Sequence, residues 1–182
     1  MFRPFKGKGA AFIFNTSISS TGQFNVFLSS MAEKPEGESF DSSTKINFKL
    51  GINDISDILA FAEGRKDGLG TYKEDTKKWS GLFHKTDNGN SSLSIEPAQD
   101  GKSFSIRLSS KPKTGELTAH NIRLSISDLN LIRHYLTAAL PEMFADRYGA
   151  EAPAKPSPQP TNAGKGKVPA PATFEDDVNQ PF

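Results

Sequence analysis

The chain has 182 residues, with 22 Lys or Arg against 21 Asp or Glu, for a formal net charge of +1. It has no cysteine, which excludes a disulfide framework and a thiolate metal site. No apolar run approaches the roughly 20 residues of a membrane span, and the opening MFRPFKGKGAAFIF lacks the order of a signal peptide. The expectation is a soluble, cytoplasmic protein with no membrane partner.

Period-two alternation dominates the first fifty residues and predicts strands. AAFIFNTSI (10–18) and GQFNVFLSSM (22–31) form two of them, joined through SSTG (19–22). STKINFKL (43–50) is a third, with Ile46, Phe48 and Leu50 on one face and Lys45, Asn47 and Lys49 on the other. A helix follows, with Asn53 as N-cap, Ile55, Ile58, Leu59 and Ala62 along one face and Gly64 ending the run. GRKDGLGTYKEDTKK (64–78) reads as a loop.

A second strand series starts near Trp79 with KWSGLFHKT, SSLSIEP, KSFSIRLSSK and TAHNIRLSIS. Asp87-Asn88-Gly89 and Asp100-Gly101 mark tight turns between its members, because positive φ costs little there. The last helix takes Ser127 as N-cap and carries Leu129, Ile132, Leu136, Ala139, Leu140 and Met143 as its stripe. Pro141 should kink or close it. Strands, helix, strands, helix make an α+β domain.

Residues 149–173, rich in Pro, Ala and Gly, bury too little apolar surface to offset their ordering entropy, so they read as a disordered linker. The chain then ends FEDDVNQPF, an acidic stretch closed by Pro and Phe. Domain 1–148, linker 149–173 and tip 174–182 are the expected divisions.

Charge is distributed unevenly. Residues 1–32 hold Arg3, Lys6 and Lys8 without an acid, and residues 102–125 hold Lys102, Arg107, Lys111, Lys113 and Arg123 against Glu116. Acids gather at 33–41 and 175–177. Basic strands with separate acidic segments fit a polyanion binder, the bland reading being ordinary surface scatter.

The element order, the opening Lys6-Gly7-Lys8-Gly9-Ala10-Ala11, the junction INFKLGINDISDILAFAEG, the pair SLSIEPAQDGKSFSIRLSS and the closing LIRHYLTAALPEMF resemble the Whirly family of single-stranded DNA-binding proteins over about residues 5–146. In that family the first strand carries Lys-Gly-Lys-Ala-Ala-Leu; here Gly9 interrupts the motif and Phe12 stands near its leucine. The resemblance implies two antiparallel four-stranded sheets packed roughly at right angles, each followed by a helix. It also implies a homo-oligomer, tetramer or dimer, holding single-stranded DNA with little sequence preference.

Sequence-tolerant binding of single strands needs cations along the phosphates and rings on which bases stack. Candidates are Lys6, Lys8, Phe12 and Phe14 on the first strand, Phe27 on the second, and Lys45 with Lys49 on the third. Trp79, Phe83 and Lys85 sit on one face of the fourth, and Arg107 and Arg123 on polar faces of later strands. A strand phenylalanine is more often core than platform; Phe48 and Phe104 are expected in the core. Phe12 and Phe14 are the leading stacking pair, because Ala11 and Ile13 can face the core in their place. His84, His120 and His134 show no metal-ligand spacing, and no nucleophile or phosphate-loop motif occurs. The expectation is no metal, no cofactor and no enzyme.

The end of the chain resembles the acidic tip of bacterial single-stranded DNA-binding proteins, through Phe174, Glu175, Asp176, Asp177, Pro181 and Phe182, with Val178-Asn179-Gln180 as the departure. The resemblance implies recruitment of replication, recombination or repair enzymes, with a bacteriophage or mobile element as source. Rival readings are an RNA-binding or transcription-regulating protein of the same fold and a scaffolding protein whose rings serve self-association.

Overall fold

The computed structural model describes residues 4–37 and 39–148; Arg3, the linker at 149–173 and the tip residues Phe174, Glu175, Asp176, Asp177, Pro181 and Phe182 lie outside them. The chain runs β1 (Phe5–Gly7), β2 (Ala10–Ile18), β3 (Phe24–Glu33), β4 (Phe40–Leu50), α1 (Ile52–Ala62), β5 (Tyr72–Lys73), β6 (Lys78–Trp79), β7 (Leu82–Thr86), β8 (Gly89–Pro97), β9 (Ser103–Pro112), β10 (Thr118–Ser125) and α2 (Ile126–Tyr148). β1-β2-β3-β4 form one antiparallel sheet and β10-β9-β8-β7 a second, each followed by its helix, as expected. β5 and β6 make a separate two-stranded ribbon.

Both sheets turn one face onto a shared core. From the first come Phe5, Phe12, Phe14, Val26, Leu28, Ile46, Phe48 and Leu50, and from the second Leu93, Ile95, Ile106, Leu108, Ile122 and Leu124. α1 adds Ile55 and Ile58, and α2 adds Ile132 and Leu136, all fully buried. The large core residues therefore fall on alternate strand positions and at three-to-four spacing on the helices, while Ala11, Asn25 and Ser29 between them are covered as well.

Three local differences from the sequence expectation have identifiable causes. α1 begins at Gly51 rather than Asn53: the Asp54 carboxylate accepts the Gly51 N–H at 2.7 Å, closing the helix start two residues earlier. α2 is capped by Ser125 rather than Ser127, since Ser125 Oγ accepts the Asp128 N–H while Asp128 accepts the Ser125 N–H at 2.8 Å. Pro141 neither closes nor ends α2, which continues to Tyr148; the proline forgoes one backbone bond and the helix continues through it.

The two sheets meet through a buried polar pair, Ser30 Oγ to His120 Nδ1 at 2.8 Å. Burial holds the His120 imidazole below its ordinary value, so the folded state favours the neutral ring. The unfolded chain then binds the proton more readily, and this contribution is complete above pH about 6.5 and lost as pH falls below it. Denaturant titrations at pH 7.5 and 5.5 should show a larger acid loss in the parent than in His120→Asn, whose amide can still meet Ser30. Equal losses would remove His120 from the account.

Candidate nucleic-acid interface

The first sheet's other face is built by the odd-numbered residues of β2 and β3 and the facing residues of β4. Cross-strand register aligns Ala11 with Met31, Ile13 with Ser29, Asn15 with Phe27, and Phe27 in turn with Lys49. Directly opposite residues point to the same side of a sheet, so one row reads Asn15–Phe27–Lys49 across three strands. The neighbouring row, Ile13–Ser29–Asn47, is tied to the first: Asn15 Nδ2 donates to Ser29 Oγ at 3.3 Å and Ser29 Oγ to Asn47 Oδ1 at 2.7 Å. These bonds lock the side chains into a lattice around the Phe27 ring, which is half-buried, while Lys45 and Lys49 are exposed. Lys6, opposite Ala11, lies on the same face with its ammonium 5.4 Å from the Phe40 ring.

The second sheet's outer face is more polar. Phe83 is 61% exposed, the most exposed aromatic ring among the described residues, and shares its face with Lys85. Arg107 pairs in register with Ser94 and Asn121, and Arg123 with Ser105. Arg123 reaches the Asp100 carboxylate at 3.4 Å, a contact between exposed groups that contributes little. The sheets' edges meet where β1 abuts β10: a Cβ on Gly7 would lie 2.7 Å from Ile122 Cβ, so only glycine fits. Along this seam a cavity of about 520 Å³ is lined by Pro4, Phe5, Lys6, Arg123, Leu131 and the acidic Asp128, and the next hollow by Lys8, Asn121 and Arg123. Lys6, Lys8 and Arg123 thus make a cationic strip from one sheet edge to the other.

The candidates therefore divide. Lys6, Phe27, Lys45 and Lys49 share the first outer face; Phe83, Lys85, Arg107 and Arg123 share the second; and Lys8 sits in the turn between β1 and β2 at their junction. Phe12 and Phe14 are a correction. Both are fully buried, Phe14 meeting Phe5 at 6.3 Å edge-on and Tyr135 at 5.7 Å. Where both faces of a strand are apolar, the larger rings fill the core and the smaller Ala11 and Ile13 turn outward.

Trp79 is a second correction: it does not share a strand with Phe83 and Lys85. It lies on the β5–β6 ribbon, edge-on to Tyr72 at 5.5 Å and 5.1 Å from the Lys66 ammonium. Its ring is pressed so close to Gly68 that a Cβ there would come within 2.3 Å. The turn through Ser80 and Gly81, with Gly81 at φ 70°, separates the ribbon from β7. Sequence reasoning missed Ile13, Asn15, Met31 and Phe40 on the first face; the first three needed the register, and Phe40 lay inside a segment read as an acidic loop.

Among the described residues no cluster of His, Asp and Glu could hold a metal, and no helix is long and apolar enough to cross a membrane.

No family model matches the sequence, and no curated protein does. Among solved structures, the chain is similar to WHY3 of Arabidopsis thaliana at 15% identity and a TM-score of 0.61, covering 81% of this chain and 90% of that one. It is similar to WHY1 of the same plant at 16% identity and a TM-score of 0.60, covering 81% and 93%. The plant transcriptional regulator PBF-2 matches at 20% identity and a TM-score of 0.59, covering 80% and 84%. At these identities the likeness speaks for architecture: the domain has the Whirly fold.

Proposed function

We propose that the domain binds single-stranded DNA with little sequence preference, without enzymatic activity of its own. The observation that supports this best is the row Asn15–Phe27–Lys49, which sets a half-buried ring beside an exposed ammonium on one sheet face. A base stacks on such a ring while its phosphate meets the lysine, and neither contact distinguishes one base from another. Lys45 and Lys6 extend the cationic track, and the strip at the β1–β10 seam offers a path toward Arg107 and Arg123. The Whirly fold accords with this reading, as does the resemblance in the opening Lys6-Gly7-Lys8 segment.

The finer reading adds a homo-oligomer, tetramer or dimer, a loose linker at 149–173, and a tip at 174–182 that recruits replication, recombination or repair enzymes. A terminal Phe182 suits an apolar pocket, with its carboxylate and the acids at 175–177 on a basic rim.

Anisotropy of a labelled oligo-dT, titrated and then displaced with salt, tests the core claim. With Lys6, Lys45 and Lys49 each on one phosphate, log affinity should fall against log salt with a slope of about −2. A flat salt response, or equal affinity for duplex, would overturn it; a matched oligo-U competitor separates DNA from RNA binding. A chain ending at residue 173 should keep the oligo-dT affinity and lose partner recruitment.

A further inference from the structure

The cations on the outer face of the second sheet do not lie in one row. Arg107 on β9 stands opposite Asn121, two residues from Arg123 on β10. Ser92 on β8 stands opposite Ser109, two residues from Arg107. Lys85 on β7 stands opposite Asn90, two residues from Ser92. Each step crosses one strand and shifts by two residues, so Arg123, Arg107, Ser92 and Lys85 trace a diagonal over all four strands. Diagonal neighbours on a sheet face are about 7–8 Å apart, which puts the two ends of this line about 20–25 Å from each other. Both arginines and the lysine are exposed.

The diagonal is also the course that the charges leave open to a polyanion. Straight across from Arg123 the row runs through Ser105 to Glu96, an exposed carboxylate that repels phosphate. On the diagonal, β8 is crossed at Ser92, about 14 Å along the strand from that carboxylate. Phe83 stands directly opposite Ser92 and is 61% exposed. The Ser92 hydroxyl is tied to that of Ser109 at 2.7 Å, so the floor beside the ring is low and a flat group can lie over it. A ring so exposed beside a line of cations suits a base with its phosphates. An apolar protein surface seated on Phe83 would instead leave Arg107 and Lys85 without counter-charge.

The two sheets turn their inner faces onto one core, so their outer faces point apart and Phe83 is no part of the Phe27 row. What joins them is the strip of Lys6, Lys8 and Arg123 at the β1–β10 seam. We propose that Phe83 is the centre of a second strand subsite, where a base stacks while the phosphates follow Arg123, Arg107 and Lys85. A strand long enough to cross the seam then occupies both sheets of one domain; this rests on the single-strand binding proposed above. A short strand fills the first face only, so affinity gains from length through the second.

The test uses the full chain with a short oligo-dT of about six nucleotides and a long one of about thirty, lengths on either side of common single-strand site sizes. Phe83→Ala should keep the parent affinity for the short strand and lose about tenfold on the long one. Phe83→Tyr, which keeps a ring, should restore it, and Phe27→Ala should weaken both lengths. Arg107→Ala with Lys85→Ala should make the long-strand salt slope shallower by about 1.4 and leave the short-strand slope as it was. An unchanged long-strand affinity in Phe83→Ala would overturn the inference. Equal losses on both lengths would overturn it too, by placing Phe83 in the first contact. If the parent protein binds neither length, the single-strand reading itself falls, and the second subsite with it.

Discussion

Phe14→Ala lowers the stability of the domain by about 3–5 kcal/mol, the usual cost of emptying a fully buried aromatic site. Its ring has no exposed surface and packs against Phe5 and Tyr135, so nothing nearby can collapse into the space without moving β1 or α2. Denaturant unfolding followed by tryptophan emission measures the loss. Phe12→Ala should behave alike, its ring being equally buried and paired in register with Phe5. The decisive comparison is with oligo-dT at low temperature: molecules that remain folded should keep the parent affinity. A stable Phe14→Ala protein with impaired binding would return that ring to the surface and undo the assignment of the two faces.

The second large effect belongs to β4. Lys45→Glu with Lys49→Glu should lower oligo-dT affinity at least about a hundredfold at moderate salt, since each charge-assisted contact is worth about 1.5–3 kcal/mol. The salt slope should become shallower by about 1.4, or 0.7 for each phosphate released. Phe27→Ala in the same row costs about 1–3 kcal/mol of stacking and should leave the slope unchanged. Ring and charge thus separate in one experiment, and an unchanged slope in the double reversal would exclude the first sheet as the phosphate track.

How much of this was legible beforehand depended on how one-sided each segment is. Where one face is polar, as at Lys45-Ile46-Asn47-Phe48-Lys49, alternation alone named both the core and the outer residues. Residues 10–14, apolar on both faces, gave the period without its phase, and only the volume available in the core decided it. β1 is three residues long, and β5 and β6 two each, too short to show a period at all. That is why Trp79 was joined to the wrong strand: the positive φ at Gly81, which breaks the run, leaves no mark in a hydrophobic pattern. Helix stripes were read correctly because burial repeats over several turns, whereas the caps shifted by two because several neighbouring residues could each serve.

Lys45 and Lys49 carry one more burden. β4 is an outermost strand of its sheet, eleven residues long and paired on one side with β3 through Phe40, Asp41 and residues 46–50, with an irregular stretch between. An open strand edge of that length is a template on which other copies zip up into fibres, and charged side chains along it act as gatekeepers against that outcome. Variants that replace these lysines with valine or alanine should precipitate on storage, while the glutamate versions stay dispersed. On the proposed reading, the two ammonium groups that meet phosphate are also the ones that keep this edge from pairing with another copy.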